Sequence, residues 1–314
     1  MGLRIKKIKT RQYYYLELNY RILETAKKFS KYLGAKKPTT QKLKLIENEF
    51  KDELIKKLTD KDYDCNLISK DDFIKAALFR DLFYKKYKSL TPTKRRKYDF
   101  DSTIMFTLTT LTTEDVEVNL EDVINAYEKN KNLNIKEQIS KNMINAIEKI
   151  KENKAVTLEY ILGLHSLIMN NFESKTPGLI RNKQVKIHKT DKDHPLSIEI
   201  TYKPPHYSTI LSKLTEFVGW LNKSELNPIE KSALAHYKLY LIHPFLDGNK
   251  RTCRLIFNKI LLNHCFPLIN ISNQRDRYFE KLLESTEKQD PCPFVQFAKE
   301  EYLLQVKKFL TGKK

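Results

Sequence analysis

Seven glycines in 314 residues leave little room for a fold that must turn sharply and often. Average glycine usage is about 7%, and a sandwich or barrel of short strands needs turn residues roughly every 8–12 positions. The scarcity favours helices, which need such residues mainly at their ends. A length of 314 residues suits about two domains. With 17 Tyr, 16 Phe and 40% hydrophobic residues, the chain has the material for a core that disordered chains lack.

Charge divides the chain unevenly. Lys and Arg number 58 against 39 Asp and Glu, a net charge of +19. Residues 1–100 hold 27 basic and 13 acidic side chains, while residues 101–314 hold 31 and 26. The excess therefore belongs to the first third. Cys65, Cys253, Cys265 and Cys292 form no C-x-x-C pair, so reduced packing thiols are expected rather than a zinc site or a redox dithiol. The basic start Met1-Gly2-Leu3-Arg4-Ile5-Lys6-Lys7 leads into no signal-peptide core, and no window approaches the roughly 20 apolar residues that span a bilayer. A soluble cytoplasmic protein without membrane contact is the expectation.

Residues 3–20 mix basic side chains with Tyr13-Tyr14-Tyr15-Leu16-Glu17-Leu18, a composition that suits a short strand pair or ribbon. Residues 26–34 carry apolar side chains at helical spacing with Gly34 as a stop. Residues 41–58 and 71–90 also have helical periodicity, and Thr91-Pro92-Thr93-Lys94-Arg95-Arg96-Lys97 suits an exposed basic loop at a domain edge. From about 115 the pattern is helix after helix: 120–130 behind an Asn119 cap, then 135–152, 157–173, 207–222, 227–242, 249–263, 275–288 and 293–311. Between them, Val185-x-Ile187 and Ile198-x-Ile200-x-Tyr202 alternate around the polar Lys189–His194, the signature of a hairpin stopped by Pro204-Pro205. The fold class expected is mainly α: residues 101–314 form a helical domain with a β-hairpin, preceded by a small basic α+β region at 1–100.

Chemistry concentrates in His243-Pro244-Phe245-Leu246-Asp247-Gly248-Asn249-Lys250-Arg251-Thr252-Cys253-Arg254. Pro244 and Gly248 interrupt two apolar helical patterns, so 243–248 should be a tight loop pressed against a helix that begins near Asn249. Backbone N–H groups at a helix start, backed by the helix dipole, attract anions. Arg251 and Arg254, three residues apart, share a helical face near that start and can grip phosphates with their guanidinium forks. Each piece alone has a plain structural explanation: a capping His, an Asp-Gly turn, two solvated arginines. Together, within twelve residues, they make an imidazole, a carboxylate and a polyphosphate cradle.

This segment resembles the signature of the Fic family (Fic/Doc fold), H-x-F-x-[D/E]-G-N-[G/K]-R-x-x-R, and fills every defined position. Gly178-x-x-Arg181-x-x-x-Val185-x-Ile187 with Tyr202-x-Pro204-Pro205 is similar to the family's target-aligning flap, in which Val185, Lys186, Ile187 and His188 would meet the target. Asp276-Arg277-Tyr278-Phe279-Glu280 is similar to the aromatic helix near the nucleotide base, with Tyr278 as the base contact. The resemblance covers about residues 115–303 and leaves the first hundred outside.

The resemblance implies a protein adenylyltransferase that moves AMP from ATP to a Ser, Thr or Tyr hydroxyl of a target protein, and that also modifies itself. His243 would be the general base. Asp247 would hold Mg²⁺, Gly248 would let the backbone approach the phosphates, and Asn249 would donate to the α-phosphate. Arg251 and Arg254 would take the β- and γ-phosphates. Lys250 stands where many AMP transferases have glycine, as in Doc-type members that transfer the γ-phosphate instead; Arg254, which those members lack, keeps AMP transfer first and Doc-like phosphotransfer as the alternative. Phe245 would anchor the loop in the core. Family members inhibited from an N-terminal helix carry [S/T]-x-x-x-E-[G/N], whose glutamate pairs with the second signature arginine. Aligned through Leu111-Thr112-Thr113-Glu114-Asp115-Val116, that glutamate falls near Thr107, which has no carboxylate. The other alignment, Thr110-x-x-x-Glu114, puts Asp115 where Gly or Asn belongs, so a chain without glutamate inhibition is expected.

Two further expectations concern partners. The basic residues of 1–100, interleaved with Tyr13, Tyr14, Tyr15 and Tyr32, suit contact with nucleic acid, either beside the enzyme or as the main role of a chain whose Fic fold is secondary; the plain alternative is a solvated lysine-rich surface. Homodimerisation is common in the family. His236 lies seven residues before His243 with no ligand set around it, which suits a packed core histidine, and His188 and His194 suit polar flap positions.

Overall fold

The computed structural model describes residues 2–129, 131–190 and 198–312, with the backbone alone for 188–190 and 198–201. It divides into two compact units. The first takes in the chain up to Lys86 together with Glu225–Asn227 and the segment from Leu303 onward.

That unit opens with an antiparallel meander of β1 (Gly2–Ile8), β2 (Arg11–Ile22) and β3 (Thr25–Gly34). Strand β2 alternates strictly enough to set its faces. Leu16, Leu18, Tyr20 and Ile22 are buried, and the Tyr20 hydroxyl donates to Asp71 at 2.8 Å. On the same face Lys31 reaches Glu53 and lies over the Phe50 ring, so the sheet packs against α1 (Thr40–Thr59) and α2 (Lys70–Ser89).

Strand β3 corrects the helix expected over 26–34. Phe29, Tyr32 and Leu33 fit helical spacing, but Phe29, Lys31 and Leu33 also alternate, and short runs satisfy both periods. The ladder of β2 is available two residues away: Ile22 pairs with Thr25 across a turn in which Leu23 takes φ 56°. Ladder hydrogen bonds and a half-buried face of Phe29, Lys31 and Leu33 decide for the strand.

The second unit comprises Tyr87–Ser224 and Pro228–Tyr302. Its first full helix, α3 (Pro92–Thr112), replaces the basic loop expected at 91–97. Thr91 caps it, accepting from the Lys94 N–H, and Pro92 sits at its first turn, where the missing N–H costs nothing. The residues read as a loop are a helix-start signal. Helices α4 (Leu120–Glu128) and α5 (Ile135–Lys151) each begin with a reciprocal capping box, Asn119 with Asp122 and Asn134 with Glu137. Then follow α6 (Leu158–Ile168), β4 (Ile187–Thr190), β5 (Ile198–Tyr202), α7 (Ile210–Lys223), α8 (Pro228–Ile242), α9 (Asn249–Asn263), α10 (Arg275–Lys288) and α11 (Cys292–Thr311). Helix α9 is central: it packs on α5, α6 and α8, and nearly its whole length from Arg251 to Leu261 is buried. A helix buried on all sides holds its first turn rigidly. No helix among the described residues is long and apolar enough to cross a membrane.

Candidate active site

The loop 243–248 hangs between α8 and α9. The His243 N–H closes the last turn of α8 on the Leu239 carbonyl at 3.0 Å, and His243 itself takes φ 49°, a left-handed conformation that is costly for a residue with a Cβ. The loop is held in that shape from several sides. Asn249 exchanges two hydrogen bonds with the backbone of Phe245, each 2.9 Å. Its carbonyl and one amide N–H are thus engaged in shaping the loop, and the NH2 group has a second N–H. Phe245 is fully buried and stacks on His165, centroids 3.7 Å apart and planes within 2°. The core anchor expected of Phe245 is in place.

His165, which sequence reasoning missed, ties the site together. Gly178 N–H donates to its Nδ1 and its Nε2 lies 3.0 Å from the Asp247 carbonyl. With Nδ1 accepting, the ring is neutral and its proton sits on Nε2. Burial holds its pKa down to about 4. Gly248 is needed beside it: at φ 73° an added Cβ would stand 3.0 Å from Met169 Sδ and 3.3 Å from the His165 ring.

Arg181, at the base of the hairpin, is nearly fully buried. Its side chain donates to the carbonyls of His243, Lys183 and Pro205, and its own N–H to the Pro244 carbonyl. One guanidinium therefore fixes the flap to the loop. In the flap, Ile187 pairs with Tyr202 and the register shifts before His188, which pairs with Ile200. Val185 and Lys186 precede the ladder rather than join it. The strand runs on through Lys189 and Thr190, residues expected in the connection; His194 lies outside the described residues.

On the open side, the Asp247 side chain is 41% exposed. Arg251 pairs with it at 3.2 Å, and Lys175, unremarked in the sequence, approaches at 3.7 Å. The His243 ring is half-buried, with Nδ1 enclosed and unpartnered. Burial, then the charges of Lys250 and Arg181, bring its pKa down to about 4.

Arg254 is fully buried and occupied. It donates to Glu114 Oε1 at 2.9 Å, to the Thr110 carbonyl at 2.9 Å and to the Tyr278 hydroxyl at 3.4 Å. Lys250 pairs with the other Glu114 oxygen at 3.1 Å and lies over the Phe279 ring. Burial opposes ionisation of Glu114, but Arg254 and Lys250 more than offset it and hold the carboxyl at about 2. This corrects the alignment that placed the counterpart glutamate at Thr107. Asp115 adopts φ 57°, the left-handed conformation for which Gly or Asn is usual and which Asp tolerates, so Glu114 leaves the end of α3 aimed at Arg254. Thr107 is buried without a partner for its hydroxyl. Tyr278 has no exposed surface: its hydroxyl sits between Arg254 and His236, 2.9 Å from His236 Nε2. It braces the arginine from below instead of presenting a ring to a nucleotide base, and His236 is its packed partner.

Comparison with known proteins agrees with this geometry. A model of the Fic/DOC family matches residues 155–261. Protein adenylyltransferase fic-1 of Caenorhabditis briggsae is 30% identical over 167 residues, 52% of this chain and 31% of that protein. Protein adenylyltransferase Fic of Nematostella vectensis is 32% identical over 151 residues, 47% and 33% of the two chains. The chain thus spans about a third of the length of these curated relatives. A Fic family protein from Desulfovibrio desulfuricans superposes with a TM-score of 0.63 at 21% identity, over 77% of this chain and 74% of that one. Fic-1 (residues 134–508) from C. elegans does so at 0.61 and 21%, over 87% and 75%. At such identities the structural likeness establishes the fold.

Proposed function

The chain belongs to the Fic/DOC family through residues 155–261, and from that premise we propose that it transfers AMP from ATP to a hydroxyl of a protein, itself included. The observation that carries the reading is the 243–248 loop, which brings a neutral imidazole, an accessible carboxylate and an arginine together at the start of a buried helix. In the reaction the target hydroxyl oxygen bonds to the α-phosphorus, the bond from that phosphorus to the bridging oxygen breaks, and pyrophosphate departs. His243 takes the hydroxyl proton; with its pKa at about 4 the ring is unprotonated at physiological pH and free to accept. Arg251 binds phosphate oxygens. Asp247 fits a Mg²⁺ ion, because its carboxylate is an accessible hard oxygen donor; bound there, the ion would neutralise phosphate charge. The bonds of Asn249 to Phe245 support a role in holding the loop. The hairpin, fixed to the loop by Arg181, would present the target segment.

Glu114 supports a resting state held in check. It occupies Arg254, the arginine expected to take an outer phosphate, together with Lys250, so productive ATP binding requires that this carboxylate give way.

ATP labelled at either the α- or the γ-phosphate tests the reading. Protein should retain the α label, and His243→Ala should lower the transfer rate by about 10²–10⁴-fold with ATP binding largely kept. Retention of the γ label alone would make the chain a phosphotransferase, and undiminished transfer by His243→Ala would remove the proposed base.

A further inference from the structure

The N-terminal meander has a second face, opposite the one that packs on α1 and α2. The register defines it: Arg4 pairs with Tyr15, Lys6 with Tyr13 and Ile8 with Arg11, while Tyr15 pairs with Tyr32, Glu17 with Ser30 and Asn19 with Lys28. Successive residues of a strand point to opposite faces, so Arg4, Lys6, Arg11, Arg21 and Lys28 share this face with Tyr13, Tyr15 and Tyr32. Its acidic group, Glu17, is held by Arg4 at 3.3 Å and Lys28 at 2.7 Å. The three tyrosines form one cluster: Tyr15 and Tyr32 centroids are 5.2 Å apart, Tyr13 and Tyr32 6.2 Å. Lys6 lies 4.4 Å from the Tyr15 centroid, and Tyr32 is 54% exposed.

We propose that this outer sheet face binds single-stranded nucleic acid. Residues 1–34 carry nine basic side chains against Glu17 and Glu24, a field that attracts a polyanion. Lysines placed only to protect sheet edges would not account for Arg11, Arg21 and three aromatic rings on or beside the central strand. Nor does an acidic protein partner require rings, for cations suffice. A single strand uses both features, phosphates against the cations and unstacked bases against tyrosine faces. A duplex keeps its base faces stacked inside, out of reach of a broad sheet surface. The inference stands on the sheet alone and is independent of the transfer reaction.

Fluorescence anisotropy of a labelled 15-nucleotide oligo(dT) or oligo(U), titrated with the full chain, provides the test. Binding should be stronger than to a duplex of equal length and should weaken linearly in log salt. Lys6→Gln and Arg21→Gln should each reduce that slope by about 0.7. Tyr15→Ala and Tyr32→Ala should each cost about 5–150-fold in affinity, whereas Tyr32→Phe, which keeps the ring, should bind as the parent does. If an alanine variant fails to fold, the phenylalanine and glutamine variants still decide. No binding at 50 mM salt, a duplex bound as tightly, indifference to loss of the rings, or equal competition by poly-glutamate would each overturn the proposal, the last by marking the face as a docking surface for acidic protein.

Discussion

Two regions of this molecule hold positive charge in opposite ways. Near the 243–248 loop the charges are few, and Arg254 is fully buried with both terminal nitrogens engaged by Glu114, Thr110 and Tyr278. On the N-terminal sheet the charges are many and exposed, Arg4 at 57% and Lys28 at 44% of the side chain. Solvent reaches the cations of the second set, so their pairs add little to stability. Removing one partner of a buried pair instead strands a charge at a cost of about 3–5 kcal/mol. The net charge of the whole chain is therefore mostly a statement about its first hundred residues, the sheet included, and the chemistry depends on charges it hardly counts.

The largest effect separating the two regions should appear on acidification. His165 and His243 both lie near 4 in the fold, below the usual 6.5, so the unfolded chain takes up protons first as pH falls. Their contribution is intact above about 6.5, is lost progressively between 6.5 and 4, and changes no further below that. For the fully buried His165 the shift corresponds to roughly 3 kcal/mol. Urea midpoints from pH 7 to 4 should fall along this course, and His165→Gln, though less stable at pH 7, should show a flatter dependence. Lys6→Gln on the sheet should leave the parent's slope unchanged. An equally steep profile in His165→Gln would assign the acid sensitivity elsewhere.

Next in size is the carboxylate that joins the two buried cations. Glu114→Gly frees Arg254, and initial rates of α-label transfer should rise by about 10–150-fold, the equivalent of the 1.5–3 kcal/mol expected for a hydrogen bond to a charged group. Lys250→Ala should raise the rate only about two- to fivefold, since Lys250 is partly exposed. A lower rate in Lys250→Ala would mean that this lysine serves the phosphates more than it restrains Glu114.

What could be read in the sequence, and what could not, follows the same division between local and distant interactions. Helices α4 to α11 carry apolar periodicity, and α4 also its Asn119 cap, all within a few residues, and the chain displays them directly. The loop was equally plain, because Pro244 and Gly248 interrupt two strong patterns. His165 carried no signal: its value lies in stacking on Phe245, 80 residues away, and in bonding Asp247. Glu114 escaped for a conformational reason, as Asp115 adopts a left-handed turn that the usual residue preference assigns to Gly or Asn. Strand β3 was missed because its pattern serves both periods until β2 supplies the ladder, and α3 because Thr91-Pro92 serves equally as a loop and as a helix start.

Backbone strain gives the smallest effect and the finest contrast between the regions. Both contain non-glycine residues in the left-handed region: Lys9 at φ 54° in the β1–β2 turn, and Asp115 at φ 57° beside the site. A Cβ in this conformation costs roughly 1–2 kcal/mol, and glycine returns part of the relief through its greater freedom when unfolded, about 0.5–1 kcal/mol. Lys9→Gly should therefore stabilise the chain by less than about 1 kcal/mol, seen as a modest rise in Tm with transfer activity unchanged. Asp115→Gly relieves the same strain but loses the pair with Arg275 at 2.6 Å, so its gain should be smaller, and it should raise the rate by loosening the turn that aims Glu114. If Lys9→Gly altered the rate, or Asp115→Gly left it untouched, the separation between a charged surface and a locked site would fail at its most local level.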